Sequence, residues 1–538
     1  FIAMCDLNEV KGMVVFMKKI IQVIDQNNQV ALKEVNYIPF RFILAMMIIL
    51  LETALVIIAT ILCTIYIPYF YLALYLTEIF CVLSIINSSD NPDYKIPWLI
   101  LVLVVPIGGF MIYFMFYNRK LSKKYVKRMD EVNQQQIKKD DDETLRKIAS
   151  NSEEASLNIK LLCNLAHTHV YQNTKANYYS LGEEMCAAML EDLKKARKFI
   201  FLEYFIIEEG QFWNQILEIL KEKVTEGVEV RVIYDDIGCM MTLPGDYYQM
   251  LQQMGIKSVP FSKLKGQANN EFNNRSHRKI MVIDGVIGYC GGINLADEYI
   301  NVFPKYGHWK DVGVRLEGEA VNELTRLFLA DYEMNVKTRV EDFSPYFVKS
   351  EYSCDDRFVI PFGDGPEPLY KHRISKTMIM TMLNQAKRYV YMTSPYLIVD
   401  HELLEAFKNA ALRGIDVRII VPHIPDKKLV FLMTRSYYKE LMEAGVKIYE
   451  YEPGFIHAKT YLSDDQVGIV GSMNLDYRSL VHHFENGVYF YRHSVLKLIK
   501  DDVLQTMRKS LLINEKPIKN TLVHRFIRAV VYTISPLL

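Results

Sequence analysis

The chain has 538 residues with 63 basic and 63 acidic side chains, so its formal net charge is zero. This balance gives no overall electrostatic reason to expect a nucleic acid as partner, and the length exceeds the roughly 250 to 300 residues that one core supports. Eight cysteines are scattered without a C-x-x-C pair, which excludes a disulfide scaffold and favours a reducing compartment.

Two long apolar runs lie near the N-terminus. Residues 42–86 contain only two acids, Glu52 and Glu78, and residues 96–117 contain no charged side chain. About 20 helical residues are needed to cross the hydrocarbon core of a bilayer. The sequence therefore predicts a transmembrane region over 42–117, with spans near 42–64, 68–87 and 96–117.

A basic cluster follows the last apolar run. Its cations are Arg119, Lys120, Lys123, Lys124, Lys127 and Arg128. Cations concentrate on the cytoplasmic side of membrane proteins and attract anionic headgroups. We therefore expect a multi-pass protein of the cell membrane, with a cytoplasmic catalytic part and anionic membrane lipids as partners.

The remaining segments outside the main body are polar or amphipathic. Residues 118–155 are dense in charge and predict a linker or a solvated helix. Residues 516–538 place apolar side chains on one helical face and His524, Arg525 and Arg528 opposite, which predicts an amphipathic helix. The N-terminal segment, 1–41, carries no pattern that fixes its topology.

The main body contains an internal repeat. "VEVRVIYDDIG" and "LQQMGIKSVPF" in the first half are matched in order by "IDVRIIVPHIP" and "LMEAGVKIYEYEP" in the second. Helices alternating with short β-branched strands predict an α/β fold, and we expect two units, 156–340 and 341–515, in a pseudo-twofold arrangement. Each unit should contain a mixed sheet flanked by helices, with the functional site at the interface.

The repeat ends in a shared motif. "SHRKIMVIDGVIGYCGGIN" and "IHAKTYLSDDQVGIVGSMN" share the pattern His-x-Lys-x4-Asp-x6-Gly-(Gly/Ser)-x-Asn. Alternate residues of a strand face the same side, so His277 points with Lys279 and His457 points with Lys459. The returning strands bring in amide and hydroxyl groups, namely Asn294, Ser472 and Asn474. These groups suit the oxygens of a phosphate.

Two histidines around one phosphorus allow covalent catalysis. One neutral imidazole can attack phosphorus while the other, protonated, gives its proton to the leaving alkoxide. The lysines and asparagines would stabilise the non-bridging oxygens. The mechanism needs no metal and no cofactor.

Carboxylates are expected to orient the two histidines, as in a catalytic triad. Asp311 lies 34 residues after His277, and Glu485 lies 28 residues after His457. Asp284 and Asp464 complete the two catalytic motifs. Their position between strand and turn predicts that they brace the motif hairpin.

These motifs resemble those of the phospholipase D superfamily, and the layout from residue 40 to 538 is similar to membrane-anchored bacterial cardiolipin synthases. The resemblance implies transfer of a phosphatidyl group between two phosphatidylglycerol molecules through a phosphatidyl-histidine intermediate. It implies that His277 and His457 are nucleophile and general acid/base, and that lysines and asparagines bind phosphate. Gly292 stands where the fuller pattern has serine, as at Ser472, so one hydroxyl contact is absent there.

Three functions remain open from the sequence. The first is a membrane-anchored phosphatidyltransferase that makes cardiolipin, and the second is a phospholipase or nuclease in which water accepts the group. The third is a non-catalytic scaffold, which the two intact His-Lys pairs disfavour. The acceptor alcohol, the identity of the nucleophile and the oligomeric state are not predicted.

Overall fold

The structure is a computed structural model of the chain. It describes residues 17–24, 30–37, 40–117 and 142–514, apart from 264–273, 337–341, 350–356 and positions 68, 89, 173, 368 and 371, together with scattered positions in 127–141 and at 530 and 533. The basic cluster up to Lys124, most of the predicted linker before 142 and nearly all of the predicted C-terminal helix lie outside the described residues.

Two strands and four helices form the described N-terminal region. They are β1 (Met17–Ile24), β2 (Val30–Tyr37), α1 (Phe40–Tyr66), α2 (Phe70–Asn87), α3 (Pro92–Val104) and α4 (Pro106–Phe116). β1 and β2 pair in antiparallel fashion, which the sequence had not indicated. Among the described helices, one stretch, Met46–Cys63 within α1, is long and apolar enough to cross a membrane by length and composition.

The third predicted span, 96–117, is wrong as a single helix. α3 ends at Val104 and α4 begins at Pro106, because proline has no N–H to donate and its ring blocks the preceding helical turn. The helices have 13 and 11 residues, fewer than the roughly 20 that one crossing needs. They pack as a hairpin, with Gly109 so close to Leu101 that an added Cβ would lie 2.2 Å from the Leu101 carbonyl oxygen.

Two helices, one in the predicted linker and one that spans the predicted start of the first unit at residue 156, pack on the second unit. They are α5 (Asp142–Asn151) and α6 (Glu153–Ala166). Ile148, Ile159 and Leu162 are fully buried in the core of the second unit. The described part of the predicted linker from 142 onward is therefore packed helix.

The first unit is built on a seven-stranded mixed sheet. Its strands and the adjacent short strand β9 are β3 (Thr174–Tyr179), β4 (Phe199–Tyr204), β5 (Glu229–Asp235), β6 (Lys257–Phe261), β7 (Lys279–Ile283), β8 (Ile287–Gly291), β9 (His308–Lys310) and β10 (Gly313–Gly318). Its helices are α7 (Gly182–Lys194), α8 (Gln211–Thr225), α9 (Tyr247–Gln253) and α10 (Val321–Asn335). The sheet order is β3-β10-β8-β7-β4-β5-β6, with β4, β5 and β6 parallel.

The second unit repeats this topology in an eight-stranded sheet. Its strands are β11 (Phe358–Asp364), β12 (Tyr389–Thr393), β13 (Leu397–Ile398), β14 (Asp416–Pro422), β15 (Lys447–Tyr451), β16 (Gly454–Ile456), β17 (Thr460–Ser463), β18 (Val467–Gly471), β19 (Leu475–Asp476), β20 (Glu485–Tyr491) and β21 (Ser510–Leu512). Its helices are α11 (Ile374–Gln385), α12 (His401–Leu412), α13 (Lys428–Ser436), α14 (Tyr438–Glu443), α15 (Tyr477–Val481) and α16 (Val495–Arg508). The order β11-β20-β18-β17-β12-β14-β15-β21 matches the first sheet strand for strand, with β21 added.

The two sheets share a buried core. Ile280 and Val282 of the first unit belong to the same apolar cluster as Val470 and Val488 of the second. These side chains come from the central motif strands of both sheets, β7, β18 and β20. The predicted pair of α/β units, each a mixed sheet flanked by helices, is confirmed, and the motif strands meet at their interface.

The hairpin of α3 and α4 docks on the second unit. Asn91 Nδ2 donates to Asp400 Oδ2 at 2.9 Å. The ring of Tyr94 stacks on that of Tyr477 at 6.2 Å between centroids. Tyr477 belongs to the small buried cluster of the N-terminal helices, so this region is fixed against the unit that carries the second motif.

Candidate active site

Backbone hydrogen bonds between the units bring the two histidines to the interface. His277 N–H donates to the Phe484 carbonyl at 2.8 Å, and His457 N–H donates to the Lys310 carbonyl at 2.7 Å. Phe484 and Lys310 directly precede Glu485 and Asp311 in the sequence. Each motif histidine is therefore held beside the acid of the other unit.

The histidines and acids pair across the interface. His277 Nδ1 lies 3.0 Å from both carboxylate oxygens of Glu485. His457 Nδ1 lies 2.6 Å from Asp311 Oδ2. The sequence had indicated both acids but only by their distance from the histidine of the same unit. The crossed pairing makes each half dependent on the other.

Each motif lysine contacts the histidine two residues before it in the sequence. Lys279 Nζ donates to the His277 carbonyl at 2.6 Å, and Lys459 Nζ donates to the His457 carbonyl. Lys459 Nζ also lies 2.8 Å from His457 Nδ1. Burial lowers the pKa of Lys279 to about 7 and that of Lys459 to about 8, although Glu485 and Asp311 act in the opposite direction.

Burial also sets the charge of the histidines and acids. It lowers the pKa of His277 and His457 well below the ordinary value, and the lysine charges add to this effect. It raises the pKa of Asp311 to about 6 and that of Glu485 to about 7, against the lysine charges. Neutral imidazoles with Nδ1–H directed at the carboxylates leave the Nε2 lone pair available for attack.

The phosphate-binding candidates are placed unequally. Asn294 is engaged on both sides, since its Oδ1 accepts from Ile206 N–H at 3.1 Å and its Nδ2 donates to the Tyr299 hydroxyl at 2.7 Å. Asn474 is buried, and no other residue that the structure describes forms a hydrogen bond with its Oδ1. Ser472 donates its hydroxyl to Glu485, so its contact in this structure is with the carboxylate and not with the space between the histidines.

Lack of space beside Asp311 explains the glycine at position 292 of the first motif. An added Cβ on Gly292 would lie 2.2 Å from Asp311 Oδ1. The equivalent position of the second motif is Ser472, whose hydroxyl contacts Glu485. Glycine therefore makes room for the first acid, while serine supplies a donor to the second.

Asp284 and Asp464 lie away from the histidines, at the far end of the motif strands. Asp284 accepts from the backbone N–H groups of Arg197, Lys198 and Phe199 at 2.7 to 2.9 Å. Asp464 accepts in the same way from Lys387, Arg388 and Tyr389. Both have φ of 55°, a left-handed turn conformation that aspartate tolerates. They brace the start of the neighbouring strand.

The sequence reasoning missed three residues in the segment around Glu485. Ser479 donates a second hydroxyl to Glu485. Asn486 accepts from Lys279 N–H at 3.1 Å and so joins the units. The ring of His483 lies 5.5 Å from that of His277. The run "HHFENGV" was visible beside the predicted acid, but only the fold shows that it faces the first motif.

Among the described residues, His277, His483 and Glu485 have potential metal-ligand atoms within 4.8 Å of one another. Glu485 already accepts from two serine hydroxyls. The charge of Lys279 acts on both histidines. This surrounding positive charge favours an anion over a cation at the cluster, in keeping with a phosphate group.

The sequence matches two known families. Residues 189–332 and 379–507 match the family described as "Cardiolipin synthase, PLD-like domain". Residues 79–116, which contain the α3–α4 hairpin, match the family "Phospholipase_D-nuclease N-terminal". The first match covers the sheets and motifs of both units.

Relatives extend the similarity along the chain. The chain is 35% identical over 473 residues to a cardiolipin synthase of Halalkalibacterium halodurans, covering 86% of this chain and 92% of that one. It is 33% identical over 468 residues to a cardiolipin synthase of Geobacillus kaustophilus, with the same coverage. A phosphatidylserine synthase structure from Haemophilus influenzae has the same fold, with a TM-score of 0.53, 16% identity and coverage of 71% and 100%. The chain therefore belongs to the cardiolipin synthase family of the phospholipase D superfamily.

Proposed function

We propose that this phosphatidyltransferase is a cardiolipin synthase, which joins two phosphatidylglycerol molecules into cardiolipin and glycerol. The observation that carries the proposal is the crossed pairing of His277 with Glu485 and of His457 with Asp311. It provides two oriented imidazoles in one buried site, and a displacement through a covalent intermediate needs two.

In the first step, Nε2 of one histidine attacks the phosphorus of phosphatidylglycerol. A P–N bond forms and the P–O bond to the glycerol headgroup breaks. The other histidine, as imidazolium, gives its proton to the departing glycerol oxygen. The anionic phosphate favours this protonated form, because it offsets the lysine charges that lower the histidine pKa values.

In the second step, a hydroxyl of another phosphatidylglycerol gives its proton to the histidine that has just become neutral. The resulting oxygen nucleophile attacks phosphorus, the P–N bond breaks, and cardiolipin leaves. The starting protonation states are restored, and the exchange of bonds and protons needs no further reactant.

The two lysines would stabilise the charge that develops on the non-bridging oxygens. Lys279 and Lys459 are buried, and each donates to the carbonyl of its own histidine. A phosphate between the histidines would draw these ammonium groups toward it. Preorganised donors of this kind are each typically worth about 2.7 to 4 kcal/mol.

The proposal also places the enzyme in the cell membrane. Helices α1 and α2 supply apolar surface that is exposed along most of their described length, for example at Leu50, Leu55 and Phe80. Lys127 and Arg128, at the end of the basic cluster, would then lie on the cytoplasmic side with the catalytic units. The α3–α4 hairpin would enter the membrane from that side without crossing it.

The test is product analysis with the full chain in detergent and phosphatidylglycerol as sole substrate. We expect cardiolipin and free glycerol in equal amounts. Phosphatidic acid as the main product would identify water as the acceptor and overturn the synthase assignment. Single-stranded and double-stranded DNA serve as control substrates, and cleavage of either would favour a nuclease.

A further inference from the structure

Helix α13 and the loop before it expose a mixture of apolar and cationic side chains. Ile424, Leu429 and Leu432 are 37%, 47% and 36% exposed. Lys427 and Lys428, beside them, are also exposed. Such a mixture is typical of helices that lie in a membrane interface, with apolar groups in the acyl boundary and cations on headgroup phosphates.

The start of α13 borders the active site. The charge of Lys427 is one cause of the lowered pKa of His457. The preceding residue, Asp426, accepts from the Tyr396 hydroxyl at 2.6 Å. Its charge also acts on Tyr299, whose ring lies 5.4 Å from that of His457. The loop into α13 therefore lies close to the second motif histidine.

Contacts within the second unit connect α13 to the N-terminal hairpin. The inner face of α13 is packed, with Thr434 Oγ1 accepting from Leu397 N–H at 3.1 Å. Leu397 pairs with Leu475 in a parallel bridge. Two residues later, Tyr477 stacks on Tyr94 of α3. A series of contacts through the second unit thus links the inner face of α13 to the hairpin.

We propose that α13 is an interfacial helix that binds the anionic bilayer surface beside the active site. Leu429 and Leu432 enter the boundary between headgroups and acyl chains, and Lys427 and Lys428 contact lipid phosphates. Lipid then reaches the cleft at His457 without leaving the membrane surface. The helix would bind a bilayer and not another protein, because the leucines are flanked by cations that suit anionic lipid headgroups.

Fluorescence tests this contact without relying on turnover. The full chain carrying Leu432→Trp is reconstituted in phosphatidylglycerol vesicles with brominated acyl chains. The three native tryptophans are buried and provide the background emission. We expect blue-shifted emission that bromine quenches. The matched control is Leu498→Trp, because Leu498 lies on α16 and its side chain is 51% exposed. The nearby Lys500 pairs with Asp465, which follows β17 at the end away from the histidines. Equal quenching at both positions, or none at position 432, would overturn the proposal.

A kinetic test separates this contact from the chemistry. The double variant Leu429→Glu/Leu432→Glu should lower the rate on vesicular phosphatidylglycerol at least tenfold relative to the rate on a monomeric short-chain form. An unchanged ratio would contradict the interfacial role. Loss of cardiolipin formation by the unmodified chain on both substrates would instead count against the proposed function.

An independent observation concerns His483. Its side chain is 11% exposed, and its Nδ1 lies 3.8 Å from Glu485 Oε1 with no hydrogen-bond partner in the described part of the chain. The corresponding position in the first unit, two residues before Asp311, is Trp309, whose ring lies 5.6 Å from that of His457. Among the residues that the structure describes, the third imidazole near the motif histidines therefore lies on the His277 side.

A neutral imidazole matches a hydroxyl group. Burial lowers the pKa of His483 well below its ordinary value, and the neighbouring His277 adds to this effect. The neutral ring has one nitrogen that donates and one that accepts a hydrogen bond. A hydroxyl group can likewise donate and accept, whereas phosphate oxygens only accept. We infer that His483 binds a hydroxyl of the glycerol headgroup or of the acceptor and so determines acceptor specificity. This inference rests on the proposed function.

The readout is the ratio of cardiolipin to phosphatidic acid. His483→Leu should lower this ratio at least tenfold, and His483→Gln, which keeps a donor and an acceptor, should lower it less. The control is His482→Phe, since the His482 ring packs toward Tyr94 at 6.0 Å, and it should keep the ratio. An unchanged ratio in His483→Leu, or equal losses in the leucine and glutamine variants, would refute the inference. The summed yield of both products reports the proposed chemistry separately.

Discussion

The two halves of the active site share a motif but differ in how each histidine is held. His277 faces both oxygens of Glu485, which also accepts from Ser472 and Ser479. His457 faces one oxygen of Asp311 at 2.6 Å. Side-chain hydroxyls hold the longer acid, Glu485. The shorter acid, Asp311, accepts from the backbone N–H of the next residue, Val312, at 2.8 Å.

This difference explains the mismatch between Gly292 and Ser472. The sequence suggested that glycine loses a phosphate contact, but in the structure both residues face the orienting acids. Each is matched in size to the acid of its own unit. The halves are therefore equivalent in the fold and unequal in the hydrogen bonds that hold their acids and histidines.

The largest expected effect comes from removing either imidazole. His277→Ala and His457→Ala should each lower the rate on the order of 10⁴-fold or more, because nucleophile and proton donor act as one unit. The double variant should be little worse than either single variant. Cardiolipin yield per enzyme measures this. Additive losses in the double variant would contradict a single shared site.

The acids should be next in effect. Glu485→Gln and Asp311→Asn keep the size of the side chain but remove the charge that orients Nδ1–H, so we expect losses of about 10² to 10⁴-fold. If the pairing is crossed, Glu485→Gln should shift the NMR signal of His277 Nδ1 and leave that of His457 in place, and Asp311→Asn should do the reverse. A shift in the histidine of the same unit would contradict the crossed pairing.

The glycine and serine should separate the halves further. Gly292→Ala forces Asp311 to move, and we expect a loss of about 100-fold, close to that of an acid variant. Ser472→Ala removes one of two hydroxyl donors to Glu485, and a lost hydrogen bond to a charged group corresponds to roughly 10-fold or more. Equal losses from both variants would contradict the steric account of the glycine.

The smallest effect is a shift in pH dependence. As pH falls through about 7 and 6, Glu485 and Asp311 gain protons and no longer support an imidazolium, so the rate falls. As pH rises through about 7 and 8, Lys279 and Lys459 lose their charge in the free enzyme. Bound phosphate favours the charged lysines, so the alkaline limb of kcat should lie at higher pH than that of kcat/KM. Coincident limbs would exclude a lysine–phosphate contact.

Much of the fold could be predicted because the repeat appears as local patterns. The β-branched strands around Val230 and Val417 and the two motifs are short and periodic, so their order gives two similar α/β units. The third span could not be predicted correctly from hydropathy alone. Pro106 lies within an apolar run, and only its effect on helix geometry reveals the hairpin.

The site shows where sequence distance stops being informative. Asp311 and Glu485 were identified as acids near the site, but their partners lie in the opposite units, 146 and 208 residues away along the chain. Ser479 and His483 carry no motif of their own. The Ser479 hydroxyl reaches Glu485 within the second unit, whereas the contact of His483 with His277 depends on β20 of the second unit facing β7 and β8 of the first. Local sequence patterns encode neither contact.

The most direct test is to trap the covalent intermediate. The single variants His277→Ala and His457→Ala and the double variant are incubated with phosphatidylglycerol, quenched and analysed by mass spectrometry of peptides. We predict a phosphatidyl adduct on the remaining histidine of one single variant, and none in the double variant. An adduct on any other residue, or one that persists in the double variant, would contradict a shared two-histidine site.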